Sequence, residues 1–216
     1  MPAARLSPRA AVLALLAIVL TGAAVVLFAL TRPPVETGTF ASGHEHGSTA
    51  AEPSAVDLAR ENELVASTKA AIAQYSDVTV AEASGYRWIG DDGGQYRHYV
   101  RGAYLLDDGE LDPDRIESLV YRVGADGSEE LVSGMYILDP GTTLAEAPDV
   151  GLAPWHVHTN LCFDGGGIAG TDDDGACPEG SVNVRTPPML HVWVVDNPDG
   201  PFAAIDENGI VSADHH

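Results

Sequence analysis

Lysine occurs once in this 216-residue chain, as Lys69, and cysteine only twice, as Cys162 and Cys177. Basic residues are scarce altogether, with 11 Lys and Arg against 32 Asp and Glu and a net charge of −21. A chain so poor in cations has no basic face for a polyanion, which excludes nucleic-acid binding by charge. Several catalytic signatures are also missing: there is no G-x-S-x-G, no Walker loop, no H-E-x-x-H and no G-x-G-x-x-G opening a helix. The sequence does not lack apolar residues, which fill 45% of positions while charged ones fill 20%, so disorder throughout is excluded and one domain with appendages is expected.

The apolar content is unevenly spread. Residues 11–30, AVLALLAIVLTGAAVVLFAL, carry no charge and at about 1.5 Å per residue reach roughly 30 Å, the thickness of a bilayer's hydrocarbon core. Arg5 and Arg9 precede this run and Arg32 follows it, which favours a cytoplasmic N-terminus (1–10), a signal anchor (11–30) in the lipid bilayer and an exported remainder. Cleavage after Ala23 or Ala29 is the alternative and would secrete the same domain. Neither cysteine lies near the run, so a lipoprotein is excluded. All 32 acids and eight of the 11 basic residues lie beyond Arg32, a balance of −24 on the exported side.

Residues 31–53 are rich in Pro, Gly, Ser, Thr and Ala without an apolar period and read as a flexible linker; within it His44 and His46 form H-E-H, a weak metal-binding pair. The terminal His215 and His216, in a tail over 211–216, are another such pair. Ser54 is a candidate N-cap for a helix reaching about Gln74, with Leu58, Val65, Thr68, Ile72 and Tyr75 as its apolar stripe. Asp77 is placed to cap a second short helix, VTVAEAS, that Gly85 would end. After Tyr86 the pattern changes to β-prone runs, YRWIG, QYRHYVRG, SLVYRVG, ELVSGMYIL, PWHVHTN and MLHVWVVD, with 118–138 as a hairpin. The expected fold class is α+β: an N-terminal transmembrane helix, a linker, then over 54–210 a helix or two packed on a largely antiparallel β-sheet.

The chemistry concentrates in the last third. In an extended chain His156 and His158 of W-H-V-H project from one face, and His191, in a second β-prone run, completes three imidazoles if the strands are neighbours. Such a set binds Zn or Cu, with Fe and Ni as further candidates, and His98, between two tyrosines, is a candidate fourth ligand. Without an ion, the same residues are buried strand histidines hydrogen-bonded to neighbours. Cys162 and Cys177, in an oxidising compartment, are expected to pair across a Gly- and Asp-rich loop, adding about 3 kcal/mol on the chain-entropy estimate. Ligation by Cys162 is the competing reading and would strand Cys177. Asp172, Asp173 and Asp174 lack the ligand spacing of an EF-hand and read as a solvated loop.

Cupins also place H-x-H on one strand and a third His on a later one. Here the Glu they carry after H-x-H is absent around Asn160 to Cys162, and their second motif is not reproduced around His191. The stretches QYRHYVRGAYLLDDGELDPDRIESLVYRV, ELVSGMYIL, PWHVHTNLC and MLHVWVVDNPDGPFAAID resemble instead a widespread group of uncharacterised exported bacterial proteins with an L-H-x-W…N-P-x-G-x-F-A ending. This resemblance spans about residues 66–206. It implies one shared domain and matching positions for His98, His156, His158 and His191, and it brings no activity with it. Three functions remain: a membrane-anchored extracytoplasmic metal-binding domain, a metal-dependent enzyme of cupin-like type, and a metal-free cell-envelope binding module.

Overall fold

The computed structural model describes the backbone of residues 44–46 and, in full, residues 54–91, 94–107, 109–151, 153–172 and 176–205. The apolar run 11–30 and the tail 211–216 lie outside these. Among the described residues no helix is long and apolar enough to cross a membrane.

Helix α1 (Ala55–Ile72) begins where the sequence supplies a cap. Ser54 Oγ accepts from Asp57 N, and Asp57 Oδ2 accepts from Ser54 N, so two otherwise orphaned donors are satisfied reciprocally. A 3₁₀ turn (Ala73–Tyr75) follows, then helix α2 (Val78–Ala83), capped by Asp77 and followed by Gly85 at φ 101°, a left-handed position suited to glycine. The buried residues of α1 all lie in its second half, while Asp57 and Glu61 of the first half lie beside Gly151. Thr68 and Ile72 are buried, whereas Leu58, counted in the expected apolar stripe, is 45% exposed.

Seven strands form one sheet in the order β1-β6-β10-β5-β4-β3-β2, antiparallel at every pairing. They are β1 (His44–His46), β2 (Arg87–Trp88), β3 (Tyr96–Val100), β4 (Ser118–Val123), β5 (Glu129–Ile137), β6 (His156–His158) and β10 (Met189–Trp193). Each of the six β-prone runs coincides with one of these strands to within a few residues at its ends. Strand β1 was not expected, since it lies inside the stretch read as linker. A smaller sheet, β7 (Leu161–Phe163), β8 (Ile168–Thr171) and β9 (Val182–Asn183) in the order β8-β7-β9, was also not foreseen. Its strands are two to four residues long and interleaved with Gly, Asp and Pro, so period-2 patterning is too brief to register. The Cys162–Cys177 disulfide, with 5.6 Å between Cα atoms, staples this sheet.

The hairpin of β4 and β5 forms as expected, but its alternation does not separate core from solvent. Leu119, Val120 and Tyr121 are all at 0% exposure, because both faces of the sheet are covered. One face packs Leu119, Tyr121, Tyr136, Leu190 and Val192 against α1 and its neighbours. There Thr68 Oγ1 and Tyr136 OH share a hydrogen bond of 2.8 Å, Tyr121 OH donates to Tyr75 O, and Tyr86 OH donates to Ile116 O. Helix and strand approach closely because β5 has Gly134 at the contact: a Cβ there would sit 3.0 Å from Thr68 Cγ2.

The other face carries Tyr96, Val120, Met135, Met189 and Trp193, with Ala203 and Ile205 from the C-terminal segment closing over them. Trp193 Nε1 donates to Ala203 O at 2.8 Å and fixes that segment. This face is concave. Strands β3 and β10 have β4 and β5 between them, and a flat sheet would hold them about 14 Å apart. Tyr96 and Trp193 nevertheless meet edge to face with ring centroids 5.7 Å apart. The sheet has therefore curled, bringing β3 and β10 toward each other across its own hollow.

Candidate metal-binding histidine cluster

Register decides which side chains enter the hollow. His98 lies two residues from Tyr96 on β3, and His191 lies between Met189 and Trp193 on β10, so by period 2 both share the concave face. Met189 pairs with His156, which carries that face onto β6 and, two residues on, to His158. The backbone at His158 is pinned on both sides, its N–H donating to Thr186 Oγ1 at 2.8 Å and its carbonyl accepting from Thr186 N at 3.0 Å.

The four imidazoles form one contiguous row. Ring centroids are 5.7 Å apart between His98 and His191, 5.2 Å between His191 and His156, and 5.3 Å between His156 and His158. His156, His158 and His191 are 3%, 7% and 3% exposed, so the row is buried except at His98, whose side chain is 17% exposed. Imidazole ligands bound at 2.0–2.1 Å to a tetrahedral ion have centroids roughly 5 Å apart, so the spacings suit ligation. Orientation is less advanced. The His156 and His191 planes lie only 14° apart, face to face, and among the described residues no three His, Cys, Asp or Glu side chains form a closed ligand set. Closing one would require a ring to turn about χ2, a torsion with broad, shallow wells for histidine.

His98 is held by a neighbour the sequence reading passed over. Asp91 Oδ2 is 2.6 Å from His98 Nδ1 and also accepts from His98 N at 3.0 Å, while Asp91 Oδ1 accepts from Trp88 Nε1 at 2.7 Å. A carboxylate on Nδ1 assigns the proton to that nitrogen and leaves the Nε2 lone pair facing away from Asp91. Asp91 sits in I-G-D-D-G-G, which reads as turn punctuation, and nothing in that string marks one aspartate as the partner of a histidine seven residues later. Ser118 was also missed. It is fully buried, its hydroxyl has no hydrogen-bond partner among the described residues, and register places it beside Met135, which pairs with His191.

Cys162 is in the disulfide and is no thiolate ligand. Of the acidic loop, Asp172 accepts from Asn183 Nδ2, and Asp173 and Asp174 lie outside the described residues. On the opposite face of the sheet Glu117 is 2% exposed, and burial pushes its carboxyl up to about 7 although Ile137 N donates to it. A cleft of about 280 Å³ involves other residues, among them Lys69, Ile72, Glu130 and Val194, and none of the histidines.

No family profile matches the chain, and no curated protein does. No solved structure matches it either.

Proposed function

We propose that this protein is a membrane-anchored extracytoplasmic domain that binds a transition-metal ion through His156, His158 and His191, with His98 as a fourth ligand oriented by Asp91. The observation that carries the reading is the row of four imidazoles, three of them buried, drawn from three strands onto one apolar face. Placing so many ligand nitrogens out of water is costly unless they are neutral and satisfied, and neutral imidazole is a favoured ligand of Zn and Cu ions. Metal capture, delivery or sensing at the cell envelope suits a row buried at three of its four members. The acidic exported side, at −24, raises the local concentration of cations.

An enzyme of cupin-like type is the second reading. It draws on the fact that three histidine ligands leave a coordination position at which zinc activates water. The resemblance to the uncharacterised exported proteins adds the shared histidine positions and no chemistry.

The test is elemental analysis of the intact chain, purified in detergent, loaded with Zn²⁺ or Cu²⁺ and desalted. About one tightly held ion per chain is expected, lost when His156, His158 and His191 are replaced by Gln. A wild-type chain that retains no ion overturns the reading and leaves a metal-free envelope module. Turnover of small esters by the loaded chain would favour the enzyme over the carrier.

A further inference from the structure

The chain has three methionines, and the two beyond Met1 both lie in the sheet, Met135 on β5 and Met189 on β10. They are 4% and 6% exposed and belong to the apolar cluster of the concave face. The two faces differ in how they fill space. The cluster against α1 takes Leu119, Leu138 and Leu190 and no methionine, whereas the cluster on the histidine face takes both methionines and no leucine. Leucine and methionine replace one another in a core at little cost, so packing volume alone does not sort them by face. What sets methionine apart is a polarisable thioether on a chain of three rotatable bonds.

Register puts each thioether next to an imidazole. Met135 lies directly opposite His191, and Met189 lies directly opposite His156 and two residues from His191 on the same strand. Residues opposed in an antiparallel pair have Cβ atoms about 4.5–5.5 Å apart on one face, a separation that two ligands of one ion can span. His156 and His191 are the stacked middle of the row, with centroids 5.2 Å apart. Neighbouring positions at its buried centre therefore carry two imidazoles and two thioethers. Among the described residues His, Cys, Asp and Glu do not complete a ligand set there, and thioether sulfur is the donor type that raises the number to four. Soft thioethers select Cu(I), whereas Zn²⁺ takes thiolate, imidazole and carboxylate.

We propose that the centre of the row is a copper(I) site, with Met135 and Met189 as thioether ligands beside His191 and His156. This rests on the metal reading above and chooses between the two ions that reading allows. Neutral imidazoles and thioethers leave the charge of the ion uncompensated, and Cu(I) brings half the charge of Zn²⁺ into an apolar hollow where charge is costly. His98 and His158 flank this centre at the two ends of the row.

The experiment uses the intact chain in detergent micelles under argon, its disulfide oxidised, with Cu(I) and Zn²⁺ as separate probes. Copper K-edge X-ray absorption reads the ligand atoms directly, and competition with a chromophoric chelator reads each affinity. The wild-type chain is expected to show sulfur as well as nitrogen around copper. In Met135→Leu/Met189→Leu the sulfur shell disappears and Cu(I) affinity falls by about 100-fold or more, ligand loss exceeding the loss of an outer partner. The same variant holds Zn²⁺ as tightly as wild type, which a general disturbance of the fold would not allow. A copper shell without sulfur in the wild type, a sulfur shell that survives in the double variant, or Cu(I) affinity indifferent to the substitutions overturns the inference while leaving the metal reading standing. A chain that retains Zn²⁺ and no Cu(I) does the same. One that retains neither ion overturns both. The wild-type absorption spectrum decides without any variant, so the test holds even where the double variant fails to fold.

Discussion

His98 and His191 meet with ring centroids 5.7 Å apart although two strands lie between theirs in the sheet. The contact exists only because the sheet curls. It places His98, 17% exposed, as the outer member of a row whose other three members are buried. Any route from solvent to the row through this end passes the Asp91–His98 pair, and that pair is the most accessible point at which to perturb the site.

Replacing Asp91 by Asn should therefore lower metal affinity without unfolding the domain. The carboxylate accepts from His98 Nδ1 at 2.6 Å, and removing an outer-sphere partner of this kind costs about 10–100-fold in affinity. Titration against a competing dye measures this, with circular dichroism as the control for folding. An Asp91→Asn chain that binds Zn²⁺ as tightly as wild type would remove His98 from the ligand set.

Glu117 predicts a pH dependence of stability. Its carboxyl is raised from 4.5 to about 7 by burial, so the folded state holds the proton more tightly than the unfolded state. The stabilisation is fully present below pH 4.5, is lost as pH rises through 7, and amounts to about 3 kcal/mol over that window. Denaturant melts of wild type and Glu117→Gln at pH 5 and pH 8 test it. The Gln variant should gain relative to wild type as pH rises, and parallel pH profiles would rule the effect out.

Thr68 and Tyr136 join α1 to β5 through a buried hydrogen bond of 2.8 Å. Thr68→Val keeps the shape and leaves the phenol without this partner, so a loss of about 1–3 kcal/mol is expected. Thr68→Val/Tyr136→Phe should recover part of the loss, since both polar atoms are then gone. Equal losses in the single and double variants would show that the bond carries little of the packing.

Removing the disulfide by Cys162→Ser/Cys177→Ser should cost about 3 kcal/mol for a separation of 15 residues. The small sheet should loosen first, because β7 and β8 flank the bridge. Hydrogen exchange at Leu161–Phe163 and Ile168–Thr171 measures this, and protection unchanged from wild type would contradict it.

Much of the domain was legible in the linear pattern, each part for a local reason. Ser54 and Asp77 announced the helix starts because a cap is a contact within three residues. The six β-prone runs announced their strands through β-branched and aromatic content, and the two cysteines could pair only with each other. Leu58 was misjudged, since periodicity marks a helical stripe without saying which of its members the rest of the domain covers. The short strands β7, β8 and β9 left no period to read. Strand β1 lay in a segment whose composition says linker and whose pairing partner is 110 residues away.

By itself the sequence determined the α+β character, the helix starts, the disulfide and the candidate residues His98, His156, His158 and His191, because propensity, capping and side-chain alternation are short-range properties. Tertiary structure alone decided that these four form one row with three members buried, that Asp91 holds the outermost, and that the backbone at His44 and His46 falls in register with His158 and His156. Those relations depend on strand order and on the curl of the sheet. Both are set by packing on two faces at once, and no window of neighbouring residues contains that information.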